Sequence, residues 1–286
     1  MIVLTHRGLD SDRIAYFKES SAEAFRDQLL RGFALEFDLQ FTSDDDIVIL
    51  HDPTLTRFSG GKNTAAIRDI TLEALLALES DGCHLTSLSR LLEELRGHPM
   101  NGVHAIHVKS SNQSRSRLDR LLSKLENVDH SRFFLFDLTL EAAAYIRKHA
   151  PEISLAPSVA HPADIARYNA AVGGTLLSLY EVLAHADLFS WAWLDEWDRV
   201  DGAGGEKELY TPETFAALRK AGLRIAVITP ELHRTSPALA GGESHSDARD
   251  EGSLSSRVRE IIALQPDAIC TDHPDAVRQL ISPRPR

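Results

Sequence analysis

The sequence has almost no cysteine: Cys83 and Cys270 are the two in 286 residues, far apart and with no CxxC pair. That excludes a disulfide framework. Long apolar runs are missing too, and nothing approaches the ~20 residues of a membrane span. The N-terminus, MIVLTHRG, has neither a basic segment nor an extended apolar one, so no secretory leader is expected and a cytoplasmic protein is the expectation. Basic residues are in deficit, with 31 Lys and Arg against 42 Asp and Glu, a formal net charge of −11. Such a surface repels phosphate backbones and anionic bilayers, which argues against nucleic acid or membrane as a partner. A small anionic substrate would need a local positive site, from a metal ion or a few basic side chains. Nothing in the composition fixes an oligomeric state.

What remains is an ordinary globular composition, 43% hydrophobic and 26% charged. Short β-branched runs (2–5, 33–39, 103–109, 132–137, 153–158, 191–195, 223–229 and 267–271) alternate with amphipathic ones such as SAEAFRDQLLRG, LTSLSRLLEELRG and TPETFAALRKAG. Gly32, Gly97 and Gly222 stand where helix C-caps would fall, and Thr211-Pro212 reads as an N-cap with Pro at the first helical position. Strands alternating with helices mean βαβ units and a parallel sheet. Eight strands with seven or eight helices predict a single-domain α/β fold over 1–286, a (β/α)₈ TIM barrel, with a doubly wound sheet as the competing topology. Residues 40–70 break the repeat as a small insertion after the second strand. Residues 231–253, polar and rich in Gly and Ser, read as a flexible loop, either a lid over the strand C-termini or a tolerated surface insertion.

Chemistry concentrates at predicted strand ends. Glu36 and Asp38 are two apart on a strand, so they share a face, while Leu35, Phe37 and Leu39 share the other. Two inward carboxylates need a partner. A hard divalent cation is one solution and ion pairing to Arg7 or Lys109 is the other. Asp44, Asp45 and Asp46, between two β runs, read as turn residues and not as ligands. His6 and His51 each follow an apolar run. Imidazoles titrate near neutrality, so two flanking a scissile bond can serve as base and acid, and Arg7 offers a planar fork for phosphate oxygens.

His6-Arg7-Gly8, Glu36-Phe37-Asp38, His51-Asp52 and the terminal Thr271-Asp272-His273-Pro274 together resemble the glycerophosphodiester phosphodiesterase family, from residue 6 to 274. The resemblance implies a metal-dependent TIM barrel that cleaves phosphodiesters. It implies His6 and His51 as the acid–base pair, Glu36 and Asp38 as metal ligands, and Arg7 and Lys109 as phosphate-binding cations. The family's third strand carries Glu-x-Lys, whereas this chain has His107-Val108-Lys109, as in a bacterial branch that lacks the Glu. Mg²⁺ or Ca²⁺ is the family's expectation, and an imidazole would favour Mn²⁺ or Zn²⁺. Three outcomes stay open: His107 ligates, Asp137 or Asp195 substitutes for it, or the site is weakened. The family's Trp-Thr at the seventh strand is Ile228-Thr229 here, and the aromatic weight lies in Trp191, Trp193 and Trp197. These read as core or rim packing, or, at Trp193, as a platform for a sugar or polyol ring. The expected activity is metal-dependent hydrolysis of a glycerophosphodiester-like or polyol/sugar phosphodiester. A catalytically silent barrel binding a phosphorylated glycan or lipid headgroup is the alternative, and a barrel enzyme acting on something other than phosphate is a third.

Overall fold

The computed structural model describes residues 1–98, 102–199, 204–232 and 245–282. Its frame is a curled parallel sheet: β1 (Ile2–His6), β2 (Ala34–Phe41), β3 (His104–His107), β4 (Phe133–Phe136), β5 (Ser154–Ala156, resuming as Ser158–Val159), β6 (Trp191–Leu194), β7 (Arg224–Ile228) and β8 (Ala268–Thr271). Neighbours pair parallel in that order, and β8 pairs with β1 in the register Ile2↔Ala268 to Thr5↔Thr271. Pro157, which has no N–H to donate, divides β5. Its lower half pairs with β4 and its upper half with β6, through Ser158↔Trp193 and Val159↔Leu194. Both ends of the pairing path therefore lie on one strand, and the sheet closes as the expected TIM barrel.

Alternation sorts the side chains of each strand. Leu35, Phe37, Leu39, Ile106 and Leu135 face outward into the layer shared with the helices, all of them buried. Leu4, Ala34, Ala105, Phe134, Phe136, Trp191, Trp193 and Cys270 fill the interior. Each large apolar side chain so buried stabilises the fold by roughly 1.5–3 kcal/mol.

Helix ends follow from local chemistry. Ser21, Ser87, Thr139 and Thr211 each accept a hydrogen bond from a backbone N–H in the first turn of Ala22–Leu30, Leu88–Gly97, Leu140–His149 and Pro212–Lys220. Gly32 and Gly222 take the left-handed conformation past their helices, but Gly97 does not. It is the last helical residue, and His98 leaves in extended conformation because its N–H still reaches Leu95 O. Two helices, Pro162–Val172 and Leu179–Ala184, and the short strand Leu176–Leu177 stand between β5 and β6; the periodicity between those strands is too weak to announce them.

The excursion after β2 runs on to Ser87, past the 40–70 suggested by the sequence. Ile47–Ile49 returns antiparallel along β2 (Leu39↔Ile49, Phe41↔Ile47), and Thr86–Ser87 pairs with it in turn. Between them Val48, Leu50, Leu55, Phe58, Ile67, Leu75 and Leu85 form a small core of their own. The aspartate run is the turn that its composition predicts. Asp44 accepts from Thr42 Oγ at 2.6 Å, Asp45 adopts φ 58°, and Asp46 pairs with Lys124 at 2.8 Å. Of the loop proposed over 231–253, residues 233–244 lie outside the described residues, and helix Glu251–Ala263 begins before the predicted end.

Candidate active site

The site lies at the C-terminal ends of the strands. His6 ends β1, and its Nδ1 lies 2.9 Å from Asp272 Oδ1, at the end of β8. The carboxylate can only accept, so Nδ1 carries a proton. Arg7 follows at φ 55° and Gly8 at φ 73°, and a Cβ on Gly8 would meet Phe25 at 3.1 Å. This tight turn folds Arg7 back over β2: its backbone N–H reaches Glu36 O at 3.0 Å, its Nε lies 3.3 Å from Asp38 Oδ2, and its Nη1 lies 3.2 Å from Glu19.

Glu36 and Asp38 point inward as expected, both buried. Burial, and then the neighbouring Asp38, push the Glu36 carboxyl up. Burial would raise Asp38 too, but Lys109, His51, His107 and Arg7 around it hold it well below the usual carboxylate range. Lys109 Nζ lies 3.3 Å from Asp38 Oδ1 and donates to the backbone O of His51 at 2.6 Å. The second of the two alternatives for these acids is thus realised in part, since both cations pair with Asp38. Among the described residues, Glu36 has as its one hydrogen-bond donor the backbone N–H of Arg7, 3.3 Å from Oε2.

His51 arrives from outside the barrel repeat, on the returning chain of the excursion. Its Nδ1 lies 2.7 Å from Asp52 Oδ1, and Arg57 grips both Asp52 oxygens at 2.8 Å. Burial, with the positive Arg7 and Lys109 nearby, lowers the His51 pKa to about 3, against the pull of Asp38 and Asp52. The imidazole is neutral at physiological pH and available as a base. Asp52 is held low by His51 and Arg57 although it is half-buried.

His107 occupies the third-strand position. Its Nδ1 lies 2.8 Å from Asp38 Oδ1 and its Nε2 3.0 Å from Asp137 Oδ2, and its ring stacks on Phe136 at 4.7 Å. Asp137 takes φ 65°, the turn that swings its carboxylate onto the ring. Burial opposes the charge, yet the two carboxylates raise the His107 pKa to about 9. Trp193 stacks on Phe136 at 4.1 Å and lines the same cleft, as do Asp195, Trp197, Ile228 and Leu232. Trp191 packs inside the barrel on Phe134 at 4.7 Å, and Trp197 stacks on Tyr168 at 4.6 Å.

Glu36, Asp38 and His107 each offer a ligand atom within 4.8 Å of the others. The donor set fits a divalent cation: two buried carboxylates press on each other, and Asp38 Oδ2 makes no hydrogen bond. His107 fits once its ring has lost a proton and let go of one aspartate. Asp137 stands behind His107 as its partner. Asp195 lines the same cleft but is not among the three whose ligand atoms come within 4.8 Å of one another. Sequence reasoning overlooked Asp272, Arg57 and Glu19, which hold His6, His51 and Arg7. Each lies outside a motif whose spacing has chemical meaning on its own, and only the Asp of Thr271-Asp272 carried a signal, as part of a turn.

The chain matches the model of the glycerophosphoryl diester phosphodiesterase family over residues 6–276. No protein of curated function matches it. Its fold is similar to that of a Galdieria sulphuraria protein (TM-score 0.71, 19% identity, covering 98% of this chain and 97% of that one). It is similar also to glycerophosphodiester phosphodiesterase from Agrobacterium tumefaciens (TM-score 0.65, 21% identity, 98% and 99% covered). A third is an Oleispira antarctica phosphodiesterase in complex with the product sn-glycerol-3-phosphate (TM-score 0.67, 16% identity, 98% and 96% covered). With the family's motifs in order around one cleft and its model spanning nearly the whole chain, this protein belongs to the glycerophosphoryl diester phosphodiesterase family and is a phosphoric diester hydrolase.

Proposed function

We propose that the protein is a metal-dependent phosphodiesterase acting on a small glycerophosphodiester-like or polyol/sugar phosphodiester, with His6 and His51 as its acid–base pair. The observation that carries the reading is the pairing of each histidine with its own aspartate, at 2.9 Å for His6–Asp272 and 2.7 Å for His51–Asp52, on the rim of a cleft whose floor is Glu36 and His107. A divalent cation held by Glu36, Asp38 and His107 would supply Lewis-acid polarisation of a phosphoryl oxygen. Arg7 and Lys109 then orient the phosphate. His51, neutral because it is buried, takes the proton of the attacking oxygen through Nε2. His6, as the acid, carries a second proton on Nε2 and delivers it to the leaving alcohol as its P–O bond breaks. Asp52 holds His51 in the tautomer with its proton on Nδ1, and Asp272 holds the Nδ1–H of His6 before and after the transfer. Trp193 presents an apolar wall to the alcohol moiety. The small, charged substrate makes nucleic acid and membrane unneeded as partners.

The test is turnover of bis(p-nitrophenyl) phosphate by metal-stripped protein, titrated with Mg²⁺, Ca²⁺, Mn²⁺ and Zn²⁺, with His51→Ala and His6→Ala alongside. Metal-dependent activity reduced about 10²–10⁴-fold in each variant is the expected result. A folded protein with no turnover of this probe or of glycerophosphocholine in any metal would reject hydrolysis in favour of a silent, phosphate-binding barrel.

A further inference from the structure

Glu231 lies just past β7, buried against the end of β8. Its Oε1 receives the hydroxyl of Thr271 at 2.7 Å and the backbone N–H of Asp272 at 3.1 Å. Thr271 Oγ in turn accepts from His273 N–H at 3.0 Å, so its own proton points to Glu231. Thr229 Oγ lies 2.5 Å from the same Oε1 and 2.9 Å from Cys270 O. Cys270 O already accepts the backbone N–H of Thr229 at 3.0 Å, so the Thr229 hydroxyl is free to donate to Glu231, and Oε1 gathers three donors. Among the described residues the buried Oε2 has no hydrogen-bond partner, which a neutral acid tolerates far better than a carboxylate. Burial and the nearby Asp272 push the Glu231 pKa up, against the pull of the Thr229 and Thr271 hydroxyls.

We infer that Glu231 is a positioning residue for His6: a neutral acid that clamps the end of β8 so that Asp272 meets His6 Nδ1. The clamp ties β7 to β8 at the one point where the partner of the catalytic ring is set. Its Oε1 holds Thr271 and Asp272 by side chain and by backbone, and the next contact outward is the 2.9 Å bond to His6. An acceptor oxygen at this place is what the geometry needs, and a negative charge is not. The inference rests on the acid–base role of His6 given above.

The experiment compares kcat and KM for bis(p-nitrophenyl) phosphate in Glu231→Leu, Glu231→Gln, Thr271→Val and His6→Ala, each as metal-loaded full-length protein with its melting temperature recorded. Glu231→Leu is expected to lose about tenfold or more in kcat with KM within about twofold, as misplacement of a catalytic group does. Glu231→Gln, which keeps an acceptor oxygen without a charge, is expected to stay within about threefold of the parent. Should Glu231→Leu fail to fold, Thr271→Val carries the test, with a smaller fall in kcat at constant KM. A purely structural Glu231 would lower the melting temperature and leave kcat intact in Glu231→Leu or Thr271→Val, and that result overturns the clamp. So does Glu231→Gln falling as far as Glu231→Leu. Full activity in His6→Ala would instead remove the acid–base reading itself, so the two failures are distinguishable.

Discussion

His107 Nδ1 lies 2.8 Å from Asp38 Oδ1, so the residue that replaces the family's third-strand carboxylate is bonded directly to one of the two carboxylates it would join around a cation. A Glu at this position would add a third negative charge. A protonated His adds a positive one, and the cation must displace a proton to bind.

Metal affinity should therefore depend on pH. With the His107 pKa at about 9, binding releases a proton below that pH, and affinity should rise about tenfold per pH unit between 6 and 8. Calorimetric titration with Mn²⁺ at pH 6.5 and 7.5, corrected for buffer ionisation, reads both the affinity and the proton released. Equal affinities would sink the idea. His107→Glu is expected to flatten the dependence and to shift preference toward Mg²⁺ and Ca²⁺.

In the metal-free protein the same group makes stability fall in alkali. Its folded pKa is raised above the unfolded value of ~6.5, so its contribution is complete below that pH and is lost as pH climbs toward about 9. Thermal melting between pH 6.5 and 9 should show a decline that is reduced in His107→Gln. A parallel decline in both would refute the assignment.

The opposite sign holds for His104. It is buried outside the barrel wall, its Nδ1 accepts from Leu35 N–H at 3.1 Å, and its pKa is lowered to about 3 by burial and by Arg132. Below ~6.5 the unfolded chain takes up a proton that the folded chain refuses, so this stability is present above ~6.5 and lost as pH falls toward 3. His104→Leu should cost about 1–3 kcal/mol at pH 7, because Leu35 N–H loses its acceptor. It should also lessen the drop in stability between pH 7 and 5. Denaturant unfolding at the two pH values measures both effects.

Gly8 tests the turn that carries Arg7. Gly8→Ala forces a Cβ onto Phe25 at 3.1 Å and keeps φ 73°, which alanine adopts at a cost. More than about 1 kcal/mol of lost stability is expected in chemical denaturation. A rise in KM should accompany it as Arg7 shifts from the phosphate. Unchanged values for both would mean that the turn adapts.

Much of this was legible in the sequence because the signals were local. The alternation over Leu35–Leu39 placed Glu36 and Asp38 inside, and the Asp44–Asp46 run named its own turn. The rest depends on what tertiary packing adds. No periodicity reports that Pro157 splits β5 so that the barrel closes across its two halves, or that the excursion reaches Ser87 by building a separate core around Val48 and Phe58. The acids behind the two histidines differ in the same way. Asp52 is adjacent to His51 and could be read with it. Asp272 lies 266 residues from His6, and its role exists only in three dimensions.

That separation has a consequence for the order in which the protein acquires competence. His51, Asp52 and Arg57 lie within a few residues of one another and are tied to β2 by a short antiparallel return, so their arrangement can mature early and locally. His6, on the first barrel strand, meets Asp272 only when the last one has paired beside it. A nascent chain, or one trimmed before Asp272, can thus own the three candidate ligands Glu36, Asp38 and His107 and one oriented imidazole while lacking the His6–Asp272 pair. Turnover becomes a readout of completed closure, with the first and last strands acting as a latch on the chemistry.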